Sequence, residues 1–326
     1  MKIGIVAENR PLERRVVMRP LELAALGDSE HKILVERGAG EGVHISDFEY
    51  EEIGAHIVSK EEAYAADIVL RIKEPSFAEI KLMKPRAILL SMLHLRCRPK
   101  LEEALRKRKI IAIPMENLKD VFGYRKVEAV VDSGRIGMEY GFKLWGKDPS
   151  KARVKVMGYG NVAIGAIRCA ARKMAQIEVL NKKHIKEMAK HMSGTDILVD
   201  ALNRPYRRDV KKEPAFVSRK MLKLLKKGSV IVDLVSNPEH HAPVETMRPT
   251  TLADPHYMVN GIYHTSLWGW PGMEPETITR RYSIQLAPIV KGIADKGLDR
   301  CAEFIKRATI DLMKINDIDE VYHRKD

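Results

Sequence analysis

Short apolar runs alternate with stretches of helical character along almost the whole chain, and this alternation constrains the fold more than any other feature. In the first third, KIGIVA, HKILVE, DIVLRI, AILLSM and IIAIPM read as strands, with PLELAALG, FEYEEIG, KEEAYAA, SFAEIKLMK and PKLEEALRKR as helices between them. Strand–helix–strand order predicts parallel sheets covered by helices. A second series begins at RVKVM and continues through IEVL, DILVDAL and SVIVDLV. Between the two series, GYRKVEAVVDSGRIGMEYGFKLWG carries apolar residues at helical spacing and predicts a long connecting helix. The segment SIQLAPIVKGIADKGLDRCAEFIKRATIDLM predicts further helix, returning to the first domain. The tail NDIDEVYHRKD is polar and expected to fray. The fold class that follows is α/β, with two Rossmann-like domains, parallel sheets and a cleft between them.

Composition narrows the setting. Apolar residues at 45% are ordinary for a globular chain with a sizeable core. No apolar run approaches the roughly 20 residues of a membrane helix, and MKIGIVAE reads as a strand rather than a signal peptide. No membrane partner and a cytoplasmic location are expected. Cys97, Cys169 and Cys301 are too few and too scattered for a disulfide framework or a zinc site, and no metal is expected. The His240–His241 pair has no apparent third ligand and reads as loop. The formal charge of +13 is spread through helices with acidic neighbours. Without a nucleic-acid motif it reads as a soluble surface that attracts anionic substrates.

The sharpest chemical signal opens the second series. The strand RVKVM runs into Gly158, Tyr159, Gly160, Asn161, Val162 and Ala163, with a predicted helix after them. This is G-x-G-x-x-A in a strand–turn–helix context. Gly158 permits a tight turn, Gly160 lets a pyrophosphate reach the backbone, and Ala163 lets helix and strand pack closely. The free N–H groups and positive dipole end of the helix meet the phosphates. At the end of IEVL, where an acid ordinarily binds ribose hydroxyls, stand Asn181, Lys182 and Lys183. None of them repels a 2′-phosphate, so NADP(H) is expected in preference to NAD(H). Residues 126–284 are therefore assigned to nucleotide binding, and 1–125 with about 285–326 to the catalytic domain.

Several ordered motifs carry a resemblance over most of the chain. The opening MKIGIVAENRPLERRVVMRP, with Glu13, Arg15, Val16 and Pro20 in register, VERGAGEGVHISDFEYEEIGAHIV, IVLRIKEP, LLSMLHL, GSVIVDLV and PGMEP resemble blocks of one superfamily. It comprises alanine dehydrogenase, the pyridine nucleotide transhydrogenase alpha subunit, fungal-type saccharopine dehydrogenase and N5-(carboxyethyl)ornithine synthase. The turn GYGNVAIGA and the double arginine of LERRVV resemble the last of these most. The resemblance implies that Arg15 binds the substrate carboxylate, which suits a planar guanidinium. It implies that Lys73 binds the substrate's oxo or carboxylate oxygen and that His94 is the acid/base, a role its ordinary pKa fits. It also implies that Glu116 is an acidic residue near the lysine. A structural ion pair is the competing reading for Arg15 and for Lys73, whose neighbour is Glu74.

The chain departs from alanine dehydrogenase at the substrate end. Asn237 stands where an aspartate is expected, Gly269 where an asparagine is, and Met92 where a tyrosine is. Trp268 and Trp270 either line a larger pocket or belong to the core. Asn237 in place of the aspartate, Trp268/Trp270 and the resemblance of GYGNVAIGA favour reductive condensation of a 2-oxo acid with an amino-acid amine, of the carboxyethyl-ornithine or saccharopine type, whose second carboxylate Arg14, Arg280 or Arg281 could then bind. The alternative is alanine dehydrogenase, using pyruvate and ammonia. A non-catalytic nucleotide sensor is a rival of another class, opposed by the joint presence of Arg15, Lys73 and His94. A homo-oligomer is expected.

Overall fold

A computed structural model describes residues 1–26, 31–204, 214–236 and 241–314. The chain divides into two compact units, Met1–Glu128 with Glu274–Asp326, and Ala129–Met273. The first unit begins β1 (Lys2–Ile5), α1 (Pro20–Ala24), β2 (Lys32–Glu36), α2 (Asp47–Glu51), β3 (His56–Val58) and α3 (Lys60–Tyr64). It continues with β4 (Ile68–Lys73), α4 (Phe77–Leu82), β5 (Ile88–Met92), α5 (Pro99–Lys107) and β6 (Ile111–Pro114). The second unit holds α6 (Val130–Trp145), β7 (Arg153–Met157), α7 (Asn161–Arg172), β8 (Gln176–Leu180), α8 (Lys182–Lys186) and α9 (Met188–Met192). After them come β9 (Ile197–Asp200), β10 (Val230–Asp233), β11 (Tyr257–Val259) and β12 (Ile262–Thr265). The chain returns to the first unit through α10 (Pro275–Arg300), α11 (Glu303–Ala308) and β13 (Ile310–Asp311).

Local chemistry starts the helices of the first unit. Ser46, Ser59 and Ser76 each accept a backbone N–H three residues on, and Glu49, Glu62 and Glu79 reach back to the serine N–H. Each is a reciprocal cap that satisfies donors the first helical turn leaves unpaired. Burial then selects parallel pairing: all six residues of β4 and all four of β9 and of β10 are buried, as strands covered on both faces must be.

The first sheet runs β13-β6-β5-β4-β1-β2-β3, parallel except for β13. Its order reverses at β1, which pairs with β2 on one side and β4 on the other. The second sheet runs β11-β12-β10-β9-β7-β8, with only β11 antiparallel, and reverses at β7. In open α/β sheets, ligands bind outside the carboxyl ends of the strands at such reversals.

Several elements differ from expectation. The unit boundaries fall at 128/129 and 273/274, against 125/126 and 284/285 expected. The reason is α10, which starts at Pro275, ahead of the predicted helix at Ser283, and whose first turns hold the N-terminal segment: Thr279 and Ser283 accept the N–H groups of Val16 and Arg19. The connecting helix begins only at Val130, because residues 119–125 form a tight turn closed by the Lys119–Arg125 bridge and by Asp120. Ile310–Asp311, expected as helix, is a strand that covers the edge of β6. Strands β3, β11 and β12 lacked a sequence signal long enough to read. The polar tail from residue 315 lies outside the described residues.

Candidate active site

Four strand ends of the first unit gather the charged residues. Arg15 follows β1 and is 2% exposed. Its Nε and Nη2 donate to both oxygens of Glu13, at 2.7 and 2.6 Å, and its guanidinium lies 5.9 Å from the Tyr282 ring centroid. This side-on pair keeps the buried charge compensated while leaving Nη1 for a further acceptor. The ion-pair and anion-binding readings of Arg15 are therefore compatible. Glu13 is drawn below the usual carboxylate range: burial works the other way and is outweighed by Arg15, with Lys73 adding to it.

Lys73 ends β4 and is also buried. Its neighbour Glu74 faces away, to Arg98 at 2.6 Å and to Arg10. Adjacent strand residues point to opposite faces, so the Lys73–Glu74 pair open in the sequence is not formed. Among the described residues no carboxylate pairs with the Lys73 amine. Burial, then the charge of Arg15, holds its pKa down to about 8.

His94 lies beyond the end of β5, with left-handed backbone (φ 46°, ψ 45°) and a side chain about a third exposed. Glu116, after β6, holds this turn. Its carboxylate accepts the N–H groups of Leu93 at 3.2 Å and His94 at 2.5 Å, and Oε1 lies 3.8 Å from His94 Nδ1. Such strain persists where the surroundings over-determine it, as two amide–carboxylate bonds do here. Burial lowers the His94 pKa; Glu116 opposes this, and Arg98, Arg125 and Lys73 add to it. Glu116 is thus grouped with His94. Lys73 is in register with Met92, two residues before His94, on the adjacent strand.

The turn of the second unit works differently. Gly158, at the end of β7, has φ 101°, and a Cβ there would lie 3.1 Å from the Ala201 carbonyl. Gly160 precedes α7 with φ −72°, which any residue adopts. A Cβ on it would meet nothing within 4 Å. The fold does not need glycine at 160, but a pyrophosphate on the open backbone would. Asn161 and Val162 form the first turn of α7, and Ala163 is fully buried. Two glycines the motif does not cover bring α6 against α7. A Cβ on Gly134 would lie 1.8 Å from the Val162 carbonyl, and one on Gly165 would lie 2.0 Å from that of Val131. These residues fit a bound dinucleotide.

Asn181 follows β8 and caps α8, its Oδ1 accepting the N–H groups of Lys183 at 2.9 Å and His184 at 3.4 Å. Lys182 and Lys183 are exposed. Trp270 is a core residue, 2% exposed, with its indole N–H on the Asp233 carbonyl at 3.0 Å. Arg281 is engaged by Glu128. Asn237 and His240 lie outside the described residues.

Two carboxyls escaped motif reading. Asp200 and Asp233 end β9 and β10 in register, both fully buried. Asp233 accepts the Val235 and Ser236 N–H groups and the Ser266 hydroxyl. Among the described residues Asp200 accepts from Leu202 N–H, and its Oδ2 has no partner. Burial, then the charge of Asp233, pushes Asp200 well above the usual range. The only sequence signal was an acid at the same place in two apolar strands, DILVDAL and SVIVDLV.

Two doubly wound units, one with a dinucleotide turn and one with a strand-end cluster of Arg, Lys and His, define a pyridine-nucleotide-dependent oxidoreductase. Residues 4–132 match the alanine dehydrogenase/PNT N-terminal domain and residues 181–311 the C-terminal domain. An alanine dehydrogenase of Staphylococcus epidermidis is 30% identical, over 91% of this chain and 88% of that protein. Alanine dehydrogenase 1 of Staphylococcus aureus is 28% identical, over 92% and 89%. An L-alanine dehydrogenase structure superposes with a TM-score of 0.86 at 24% identity, covering both chains fully. A transhydrogenase from Sinorhizobium meliloti gives 0.79 at 20%, over 95% and 96%. The chain belongs to the alanine dehydrogenase/PNT family, and it is an amino-acid dehydrogenase acting on CH–NH or CH–NH2 groups. No helix among the described residues is long and apolar enough to cross a membrane.

Proposed function

We propose that the chain interconverts a small 2-amino acid with its 2-oxo acid and ammonia, as an alanine dehydrogenase does. The observation that carries this is the buried Lys73 amine, unpaired among the described residues, next to an Arg15 whose charge is already compensated by Glu13. Arg15 Nη1 holds the substrate carboxylate. Lys73, still largely protonated at neutral pH, donates to the oxo oxygen and withdraws charge from the carbon. His94, kept neutral by its lowered pKa, exchanges the proton of the amine. The dinucleotide, held at residues 158–163, supplies hydride when bound. NADPH is accepted at least as well as NADH, because Asn181 brings no charge against a 2′-phosphate.

The amino-acid-amine reading expected from the sequence has lost support: Trp270 is core, Arg281 is engaged, and the relatives described above are alanine dehydrogenases. The test is reductant consumption with pyruvate and ammonia against pyruvate and ornithine or lysine, with NADH and NADPH each. Faster turnover with ammonia is expected. Turnover only with the amino acids returns the chain to the condensing branch of the superfamily.

A further inference from the structure

Between Leu70 and Lys73, β4 advances three residues while β5 advances two, from Leu90 to Met92. Such a bulge leaves peptide groups without their ladder partners and re-aims the side chains that follow. Here those groups are satisfied by side chains. Glu8, just beyond β1, accepts the Ile72 N–H at 2.6 Å through Oε1 and the Lys73 N–H at 3.2 Å through Oε2. On the other side, the Ser91 hydroxyl is 2.7 Å from the Lys73 carbonyl and 3.3 Å from that of Ile72. Glu8 is itself anchored by the wholly buried Arg71, at 3.4 Å. Arg71 is fixed in turn by Glu79 at 3.0 Å, Asn9 at 3.1 Å and the Tyr64 hydroxyl. Burying this much charge is costly, and a plain strand would not need it.

We propose that Glu8 is a positioning residue for Lys73: its carboxylate takes the place of a sheet neighbour across the bulge and holds the lysine with its amine in the desolvated site beside Arg15. The proposal rests on Lys73 acting in the reaction above. Burial pushes the Glu8 carboxyl up, while Arg71 and the two amides oppose it. Glu8→Gln keeps size and one acceptor but turns an NH2 group towards one amide N–H. The bulge then relaxes and Lys73 gains solvent.

The experiment follows the Lys73 amine directly, by pH-dependent acylation read by mass spectrometry on the peptide that contains it. In the parent protein it titrates near 8. In Glu8→Gln the titration moves up towards the ordinary lysine value of 10.5. Turnover with pyruvate and ammonia falls about 10²-fold, the cost of a misplacement of about 1 Å, while nucleotide affinity is unchanged. Glu8→Asp, which restores the charge but withdraws it by one methylene, recovers part of both and serves if the Gln variant does not fold. A purely structural role lowers the melting temperature without moving the Lys73 titration, so an unchanged titration in a folded Glu8 variant overturns the proposal. Lys73→Met separates the two ideas. Normal turnover in that variant defeats the reaction assigned to Lys73, whereas its loss alongside an unmoved titration in the Glu8 variants defeats only the positioning role.

Discussion

The two strand-end regions solve opposite problems. In the first unit, the proposed function depends on side chains that should not be buried alone: Arg15, Lys73 and His94, each supported by Glu13, Glu8 or Glu116. In the second, it depends on side chains that are missing, at Gly158 and Gly160, and on small residues at Gly134, Ala163 and Gly165 that let α6, β7 and α7 close up. A cluster of charges in low dielectric costs stability and must be held from several directions. An anion site made of backbone N–H groups costs little, because those groups are unpaired at any helix start. The first region should therefore trade stability for activity, and the second should separate the two.

The largest effect that tests this is Lys73→Met. Turnover should fall about 10³-fold, within the range for losing a proton-handling or polarising group. Stability should rise. The Lys73 pKa is about 8 in the folded chain and 10.5 when unperturbed, so the charged amine destabilises the fold below pH 8. Between those values the unfolded chain binds more protons, and the parent protein gains on the order of 3 kcal/mol as pH rises. Lys73→Met should lack that gain and start from the higher level. Urea unfolding at several pH values checks it, and coincident curves for the two proteins remove the trade-off.

Next comes Gly160→Val. With an ordinary φ and no atom within 4 Å of its Cβ, the substitution should leave unfolding free energy within about 0.5 kcal/mol. Affinity for NADH and NADPH should drop at least about 10²-fold, since the methyl groups occupy the pyrophosphate's approach. Fluorescence titration with each nucleotide measures this, and a folded variant that binds normally moves the dinucleotide elsewhere. Gly134→Ala reverses the pattern. Its Cβ would lie 1.8 Å from a backbone oxygen, so α6 and α7 must part. A loss of about 2–3 kcal/mol is expected in chemical denaturation, in the range of overpacked cores. A neutral result would mean that the helix contact is looser than the geometry requires.

The smallest effect sharpens the account of His94. Its lowered pKa places the acid limb of turnover below 6.5, the ordinary value. As pH falls through it, the imidazole gains a proton and loses its capacity as a base. Arg98 is one of the cations that lower it. Arg98→Gln should move the acid limb up by roughly a few tenths of a unit. No shift, or a shift downwards, would show that the charge of Arg98 does not set the His94 pKa.

Whatever acts between near neighbours in the chain could be read from the sequence alone. The strands KIGIVA and DIVLRI were legible because burial on both faces demands continuous apolar residues. Residues 158–163 were legible because a turn between a strand and its next helix is specified within six positions. Lys73, His94 and Arg15 were legible by resemblance, as residue types in ordered motifs. The tertiary structure decided what surrounds them. Nothing local tells Glu8 to accept the N–H groups of residues 72 and 73, or α10 to hold the segment that carries Arg15. Nor does anything local bring Asp200 beside Asp233, or turn Ile310–Asp311 from predicted helix into an edge strand. Each of these depends on partners tens to hundreds of residues away. Their energies come from desolvation and pairing, which exist only once the sheets have formed.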